Sequence, residues 1–94
     1  MELTVSFEDR ALREWRKLDG KLRSQFKKKL AKLTTGVEAP SPKNWLRGFN
    51  GNCYKIKARS YRLVYEYQDD WLVILVIAVG KRNRNAVYDL ARQR

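Results

Sequence analysis

The chain has 94 residues, with 21 Lys+Arg, 10 Asp+Glu and no His, and its formal net charge is +11. This length predicts a single domain over residues 1–94. One Cys and no His exclude a zinc site, a His-based triad and an internal disulfide. A chain without disulfides is typical of a reducing compartment. The longest apolar run, 72–79, is far below the roughly 20 residues of a membrane span, so we expect a cytoplasmic protein.

A short strand and a helical hairpin are predicted first. The strand covers 3–6, and Ser6 is expected to cap the first helix, with Asp9 three residues on. Asp19-Gly20 is expected to end that helix, and a second helix runs to about Thr34. The apolar residues that recur at helical spacing are Phe7, Ala11, Trp15 and Leu18, then Leu22, Phe26, Leu30 and Leu33.

Three strands follow, over 53–58, 61–67 and 72–79, and then a short helix from about Asn85 with Asn as its cap. The last strand is apolar on both faces, which predicts a central strand covered on both sides. The element order predicts an α/β (α+β) fold. Its small, mainly antiparallel four-stranded sheet carries an N-terminal helical hairpin on one face and a short C-terminal helix.

Basic residues concentrate in three stretches, 10–32, 43–62 and 81–94, and the middle stretch contains no acid. A polyanion is the expected neutraliser, with nucleic acid ahead of an acidic protein partner and a membrane surface. The basic side of the two helices is either an ordinary solvated face or a nucleic-acid contact.

The very short connection Arg59-Ser60 predicts an antiparallel hairpin in which Lys57 faces Arg62. Strand alternation then places Lys55 with these two on one face, and Tyr54, Ile56, Leu63 and Tyr65 on the other. The cluster is either a solvated strand face or a phosphate site. Crowded cations lower one another's pKa, so a neutral Lys is a candidate general base, while its neighbours stabilise a pentacoordinate phosphate.

Other chemistry-bearing residues allow two interpretations each. Arg82, in Gly80-Lys81-Arg82, would complete the cluster from the neighbouring strand. Tyr88 packs in the core, or it stacks on a base or donates a proton. Trp45 and Trp71 pack locally or stack on bases. Cys53 is predicted to be an inert strand residue.

Three segments carry a resemblance that covers nearly the whole chain in order. They are FEDRALREWRKLDGKLRSQFKKKL, CYKIKARSYRLVY and VIAVGKRNRNAVY. Together they resemble the RelE toxins of the RelE/ParE superfamily. The resemblance implies a type II toxin–antitoxin toxin that enters the ribosomal A site and cleaves mRNA by metal-independent 2′-OH attack, without a cofactor. It also implies a cognate antitoxin, contact with small-subunit rRNA, promoter DNA bound only through the antitoxin complex, and no membrane.

The same resemblance implies roles for individual residues. Lys55 and Lys57 fall on catalytic lysines, with Lys57 favoured as general base. Arg62 stabilises the transition state, Arg82 acts on the leaving group or phosphate, and Tyr88 orients the substrate. The residues expected to bind RNA are Arg47, Arg59, Lys81 and Arg84, and no metal is expected. The turn at Arg59-Ser60 is shorter than the Gly-containing turn common in the family.

Two alternatives remain open from the sequence. A ParE-like toxin of the same fold poisons DNA gyrase without catalysis, and it does not need Lys55, Lys57, Arg62 and Arg82 on one face. A plain nucleic-acid-binding module would use its basic helices, and changes in the strand cluster would then weaken affinity without abolishing an activity.

Overall fold

The computed structural model describes residues 3–82 and 86–94, and within them the chain forms a four-stranded sheet and three α-helices. The strands are β1 (Thr4–Phe7), β2 (Cys53–Ala58), β3 (Tyr61–Gln68) and β4 (Val73–Lys81). The helices are α1 (Asp9–Arg16), α2 (Gly20–Thr34) and α3 (Ala86–Arg92). Short 3₁₀ turns lie at Pro42–Asn44 and Asp69–Trp71. In this part of the chain, no helix is both long enough and apolar enough to cross a membrane.

The strand order is β1-β4-β3-β2. The β2–β3 and β3–β4 pairs are antiparallel, and β1 runs parallel to β4. The predicted sheet is therefore confirmed, including its mainly antiparallel character. β4 is central because it pairs with both β1 and β3, as its apolar character on both faces predicts.

The two faces of the sheet bury separate hydrophobic cores. The α1–α2 hairpin covers one face, where Trp15 and Phe26 pack against side chains such as Leu63. The predicted short C-terminal helix is present as α3, which covers the other face with Val87, Tyr88 and Ala91. The residues beneath α3 are Cys53, Val64, Ile77 and Ala78. α3 therefore lies on the side of the sheet opposite the helical hairpin.

A β-bulge interrupts the ladder between β3 and β4. Val64 pairs with Ala78, whereas Tyr65 pairs with Val76, so Ile77 is an extra residue without a partner on β3. The bulge places the consecutive residues Ile77 and Ala78 both under α3, while Val76 and Val79 on either side of them pack under the helical hairpin.

Local boundaries and caps differ from the sequence predictions. β1 begins and ends one residue later than predicted, so Ser6 lies inside the strand, and its prediction as a cap is wrong. Glu8 caps α1 instead, and its carboxylate accepts the backbone N–H groups of Arg10 and Ala11 at 3.1 and 3.2 Å. α1 ends at Arg16. Asp19 caps the start of α2, because its carboxylate accepts the backbone N–H of Leu22 at 2.8 Å. The predicted cap Asn85 lies outside the described residues.

Candidate active site

The β2–β3 hairpin has the register that its short connection predicts. Lys57 lies opposite Arg62, and Tyr54 lies opposite Tyr65. Arg59 adopts a φ of +55°, a left-handed conformation that is uncommon for a residue with a side chain. The two-residue turn therefore closes without the glycine that such a position favours.

Four cations gather at one side of the sheet, which we call the cationic face: Lys55, Lys57, Arg62 and Arg82. Cys53 and Val64 pack under α3, so strand alternation places the first three cations on the same face as α3. The backbone N–H of Arg82 donates to the carbonyl of Ser60 at 2.8 Å, which holds Arg82 beside the hairpin turn. The fold thus joins residues of three strands at one end of the sheet.

Lys55 is the member of the cationic face whose protonation is most clearly perturbed. Partial burial first, and then the charges of Lys57, Arg82 and Arg62, lower the pKa of Lys55 below its usual range. A lowered pKa increases the neutral fraction near pH 7, and a neutral amine accepts a proton. The resemblance implies both lysines as catalytic and favours Lys57 as the base, whereas the lowered pKa favours Lys55.

The Arg62 guanidinium folds back over the hairpin turn. Its Nη1 donates to the carbonyls of Arg59 at 3.0 Å and Tyr61 at 2.8 Å. Its Nε is buried and has no hydrogen-bond partner within the described residues. Since a buried donor of this kind is costly when unpaired, Arg62 is suited to gain an anionic acceptor such as a phosphate oxygen.

Tyr88 lies on the buried side of α3, in the core between that helix and the sheet, and is only 7% exposed. Its hydroxyl is buried without a hydrogen-bond partner among the described residues. The structure thus places the ring where the packing interpretation expects it, and the hydroxyl is enclosed together with the ring. α3 carries Tyr88 on the same side of the sheet as the cationic face.

The residues expected to bind RNA fall into two places. Arg59 and Lys81 are exposed at the hairpin end of the sheet, where Lys81 pairs with Tyr61 beside the turn. Arg47 is exposed and lies near the opposite end of β2. Its neighbour Leu46 is bonded there, since the backbone N–H of Leu46 donates to the carbonyl of Cys53 at 2.9 Å. Arg84 lies outside the described residues.

Sequence reasoning missed one lysine beside this site. Lys29 of α2 donates from Nζ to the carbonyl of Lys57 and therefore binds the outer edge of β2. A cleft of about 390 Å³ separates α2 from β2 there. Its basic lining comes from Lys29, Lys32, Lys55 and Lys57. Helical spacing places Lys29 and Lys32 on one side of α2, but no local pattern indicates which strand that side meets.

The remaining candidates take positions that restrict their chemistry. Burial raises the pKa of Cys53 to about 11, so the thiol stays protonated at neutral pH, as predicted for an inert residue. Trp71 is 79% exposed on the β3–β4 connection. Within the described residues, no group of Cys, Asp and Glu is arranged to hold a metal ion.

The cationic face contains the groups that cleavage of RNA by its own 2′-hydroxyl requires. A lysine with a lowered pKa can accept the hydroxyl proton, and adjacent cations can stabilise the extra negative charge of the phosphorane. Lys55, Lys57 and Arg62 lie within a few residues of one another on the β2–β3 hairpin, so the candidate base and the stabilising charges are close together.

Comparisons with known proteins agree on one family. The family described as "ParE toxin of type II toxin-antitoxin system, parDE" matches residues 5–86. The mRNA interferase toxin RelE of Escherichia coli strain K12 is 48% identical, over 100% of this chain and 98% of its own length. A variant of E. coli toxin RelE in the free state has a TM-score of 0.84 at 45% identity, covering 100% of this chain and 98% of the other. The toxin of the intact E. coli RelBE toxin–antitoxin complex has a TM-score of 0.74 at 48% identity, covering 87% of this chain and 99% of the other.

Proposed function

The chain belongs to the RelE/ParE family of type II toxin–antitoxin toxins, and from that premise we propose that it is a ribosome-dependent mRNA endoribonuclease. The observation that carries the proposal is the cationic face, in which partial burial, and then the charges of Lys57, Arg82 and Arg62, lower the pKa of Lys55. The 48% identity of the chain with a toxin named mRNA interferase supports the same activity. The reaction inhibits translation by cutting mRNA in the ribosomal A site.

The proposed reaction begins with proton transfer to a neutral lysine. Lys55 or Lys57 takes the proton of a 2′-hydroxyl, and the resulting oxygen attacks the adjacent phosphorus. The bond from phosphorus to the 5′ oxygen of the next nucleotide then breaks. The products are a 2′,3′-cyclic phosphate and, after the leaving oxygen takes a proton from water, a 5′-hydroxyl. The step needs no metal because the nucleophile belongs to the substrate.

Arg62, Arg82 and Tyr88 have supporting roles in this proposal. The Arg62 guanidinium supplies a donor to a phosphate oxygen as negative charge develops. Arg82, held beside the turn by its backbone bond to Ser60, acts on the leaving group or phosphate. Tyr88 orients the nucleotide with its hydroxyl. Arg47, Arg59 and Lys81 bind the RNA backbone, and we assign Arg84 the same role.

The ribosome completes this site by positioning the mRNA. Accurate placement of the 2′-hydroxyl opposite the scissile bond accounts for much of the rate of such reactions. The cationic face lies on a small sheet, and we assign this placement to the ribosome. The exposed lysines of α2 provide a contact for small-subunit rRNA, consistent with the net charge of +11. The ribosome and mRNA place the toxin in the cytoplasm.

A cognate antitoxin is the second partner that we propose. The E. coli relative with 48% identity occurs in a RelBE toxin–antitoxin complex. An antitoxin that covers the basic surface would neutralise the charge and block access to RNA. Promoter DNA would then be bound only through the toxin–antitoxin complex.

Gyrase poisoning is the alternative function, because the matching family carries a ParE description. A non-catalytic gyrase poison has no use for a lysine with a lowered pKa among three other cations. A DNA supercoiling assay with the purified chain tests it directly, and the endonuclease proposal expects no inhibition.

The activity test uses ribosomes stalled on a defined mRNA, with chelator present and the new RNA ends mapped. We expect cuts within the A-site codon, and intact mRNA in a matched tube without ribosomes. Arg82→Ala is the inactive variant, and Arg92→Ala, which removes an exposed arginine of α3, is its control. Intact mRNA on ribosomes with folded protein contradicts the proposal, as does cleavage that requires a divalent metal.

A further inference from the structure

One carboxylate, that of Glu14 in α1, joins three parts of the fold. Its Oε1 accepts the backbone N–H of Val79 in β4 at 3.1 Å and Nη1 of Arg94 at 2.8 Å. Its Oε2 accepts Nη2 of Arg94 at 3.1 Å. Arg94 follows α3 by two residues, so the paired charges connect α1, the central strand and the end of α3.

Arg94 has a buried side chain and further partners besides Glu14. Its side chain is 7% exposed, and Nη1 also donates to the carbonyl of Ile77 at 3.0 Å. Its Nε lies 3.9 Å from Oε2 of Glu8. A two-pronged pairing of arginine with carboxylate fixes orientation as well as distance.

The pair occupies an edge of the sheet that β1 leaves uncovered. β1 pairs with β4 only as far as Phe7 opposite Val76, whereas β4 continues to Lys81. The bulge residue Ile77 and Val79 lie just beyond that point. Arg94 and Glu14 bond the carbonyl of Ile77 and the N–H of Val79, so their side chains replace a missing strand.

The position of α3 depends on such contacts because the helix is short. Seven residues are too few for a helix that is stable in isolation. Beyond the apolar contacts of its buried side, the pairing of Arg94 fixes the helix end. Tyr88 lies six residues before Arg94, and Val79 lies three residues before Arg82.

We propose that Glu14 and Arg94 are positioning residues for the cleavage reaction, which hold α3 and thereby fix the position of the Tyr88 hydroxyl on the side of the sheet that carries the cationic face. The inference rests on the proposed endoribonuclease function. Neither residue touches the substrate in this account. They act through α3, the helix that carries Tyr88.

The kinetic test uses Glu14→Gln and Arg94→Lys, which keep side-chain size or charge but lose the paired geometry. Arg92→Lys is the matched control, because Arg92 lies on the same helix and pairs with Asp89 in an exposed position. We expect kcat on ribosome-bound mRNA to fall about 10- to 100-fold for the two test variants, with KM changed less than about twofold. The control should keep the wild-type kcat.

Dependence on Tyr88 separates positioning from a general loss of structure. In a Tyr88→Phe background, Glu14→Gln should reduce kcat little further, because the group being positioned is already gone. A full additional loss in that background overturns the inference, as does wild-type activity of Tyr88→Phe itself.

Hydrogen exchange gives a readout that needs no cleavage. Arg94→Lys should accelerate amide exchange in residues 86–92 and at Val79, while Arg92→Lys should not. Unchanged exchange in Arg94→Lys overturns the proposed hold on α3. A wild-type chain that cuts no mRNA refutes the proposed function instead, and the exchange pattern still decides whether the pair holds the helix.

Discussion

Lys57 lies directly opposite Arg62 across the β2–β3 hairpin, so two like charges face each other on neighbouring strands. Such a pair destabilises a sheet, typically by a few tenths of a kcal/mol. The sequence of the hairpin places Lys55 on the same face and supplies no acid between residues 43 and 62 to relieve the repulsion. This arrangement costs stability in the free protein and is suited to a substrate that brings negative charge.

Removing one charge of this pair should stabilise the protein and abolish its activity. We expect Lys57→Thr to raise the free energy of unfolding by roughly 0.2–1 kcal/mol, since the repulsion disappears and Thr suits a strand. Urea unfolding measures the change. Lys81→Thr, at an exposed strand position opposite Tyr61, is the control for strand propensity alone. Equal stabilisation by both variants would show that charge repulsion is not the cause.

The pKa of Lys55 should rise when a neighbouring cation is removed. The charge of Arg82 disfavours the ammonium form of Lys55, so Arg82→Gln relieves that repulsion and returns the pKa toward its usual value. The side-chain carbon signals of Lys55 report this titration by NMR, with Arg92→Gln as the control. A lower pKa in Arg82→Gln would contradict the arrangement of the cationic face.

The pH dependence of cleavage follows from the same shift. A base must be neutral, so the rate should rise with pH through the pKa of the catalytic lysine. Because the pKa of Lys55 is lowered, a rise that is due to Lys55 should occur below the range of an ordinary lysine. If Lys55 is that base, the residual activity of Arg82→Gln should have its rising limb at higher pH. Rates that are flat across this range in the wild type would exclude a lysine base.

Arg62→Ala and Arg82→Ala should lose cleavage while they keep the fold and ribosome binding. Each removes a cation from the site where the phosphorane forms, for which we expect a loss of about 10²–10³-fold in kcat. Circular dichroism and ribosome co-sedimentation monitor the two retained properties. Unfolding of either variant would contradict the placement of these side chains on the surface of the hairpin.

Binding to the ribosome should weaken steeply as salt is raised. Counterions released from rRNA phosphates account for this dependence, and each lost contact lowers the slope of log K against log salt by about 1. Lys28→Gln, on the exposed side of α2, should lower the slope. Ser24→Gln, an exposed and uncharged position of the same helix, should not. A slope close to zero in the wild type would contradict electrostatic contact with RNA.

The sequence predicted the features that depend on local spacing. The hairpin register follows from a two-residue turn, and the gathering of Lys55, Lys57 and Arg62 follows from strand alternation. The cap of α1 was misassigned because Ser6 and Glu8 both have capping side chains, and the end of β1 decides between them.

Contacts between distant residues escaped prediction for a different reason. Glu14 and Arg94 are 80 residues apart, and no local pattern links two charged side chains at that separation. The bulge at Ile77 lies in a continuous apolar run, where no alternation marks a change of face. The bond from Lys29 to Lys57 likewise depends on how α2 crosses the sheet.

Replacing one hydroxyl of the substrate tests directly whether the 2′-hydroxyl of the mRNA is the nucleophile. An mRNA with a single 2′-deoxynucleotide at the cleavage position of the A-site codon can be bound to ribosomes and incubated with the toxin. We expect this mRNA to stay intact at that position, while the unmodified mRNA is cut and ends in a 2′,3′-cyclic phosphate. Cleavage of the deoxy-substituted mRNA at the same position would show that the 2′-hydroxyl is not the nucleophile, and would contradict the mechanism assigned to the cationic face.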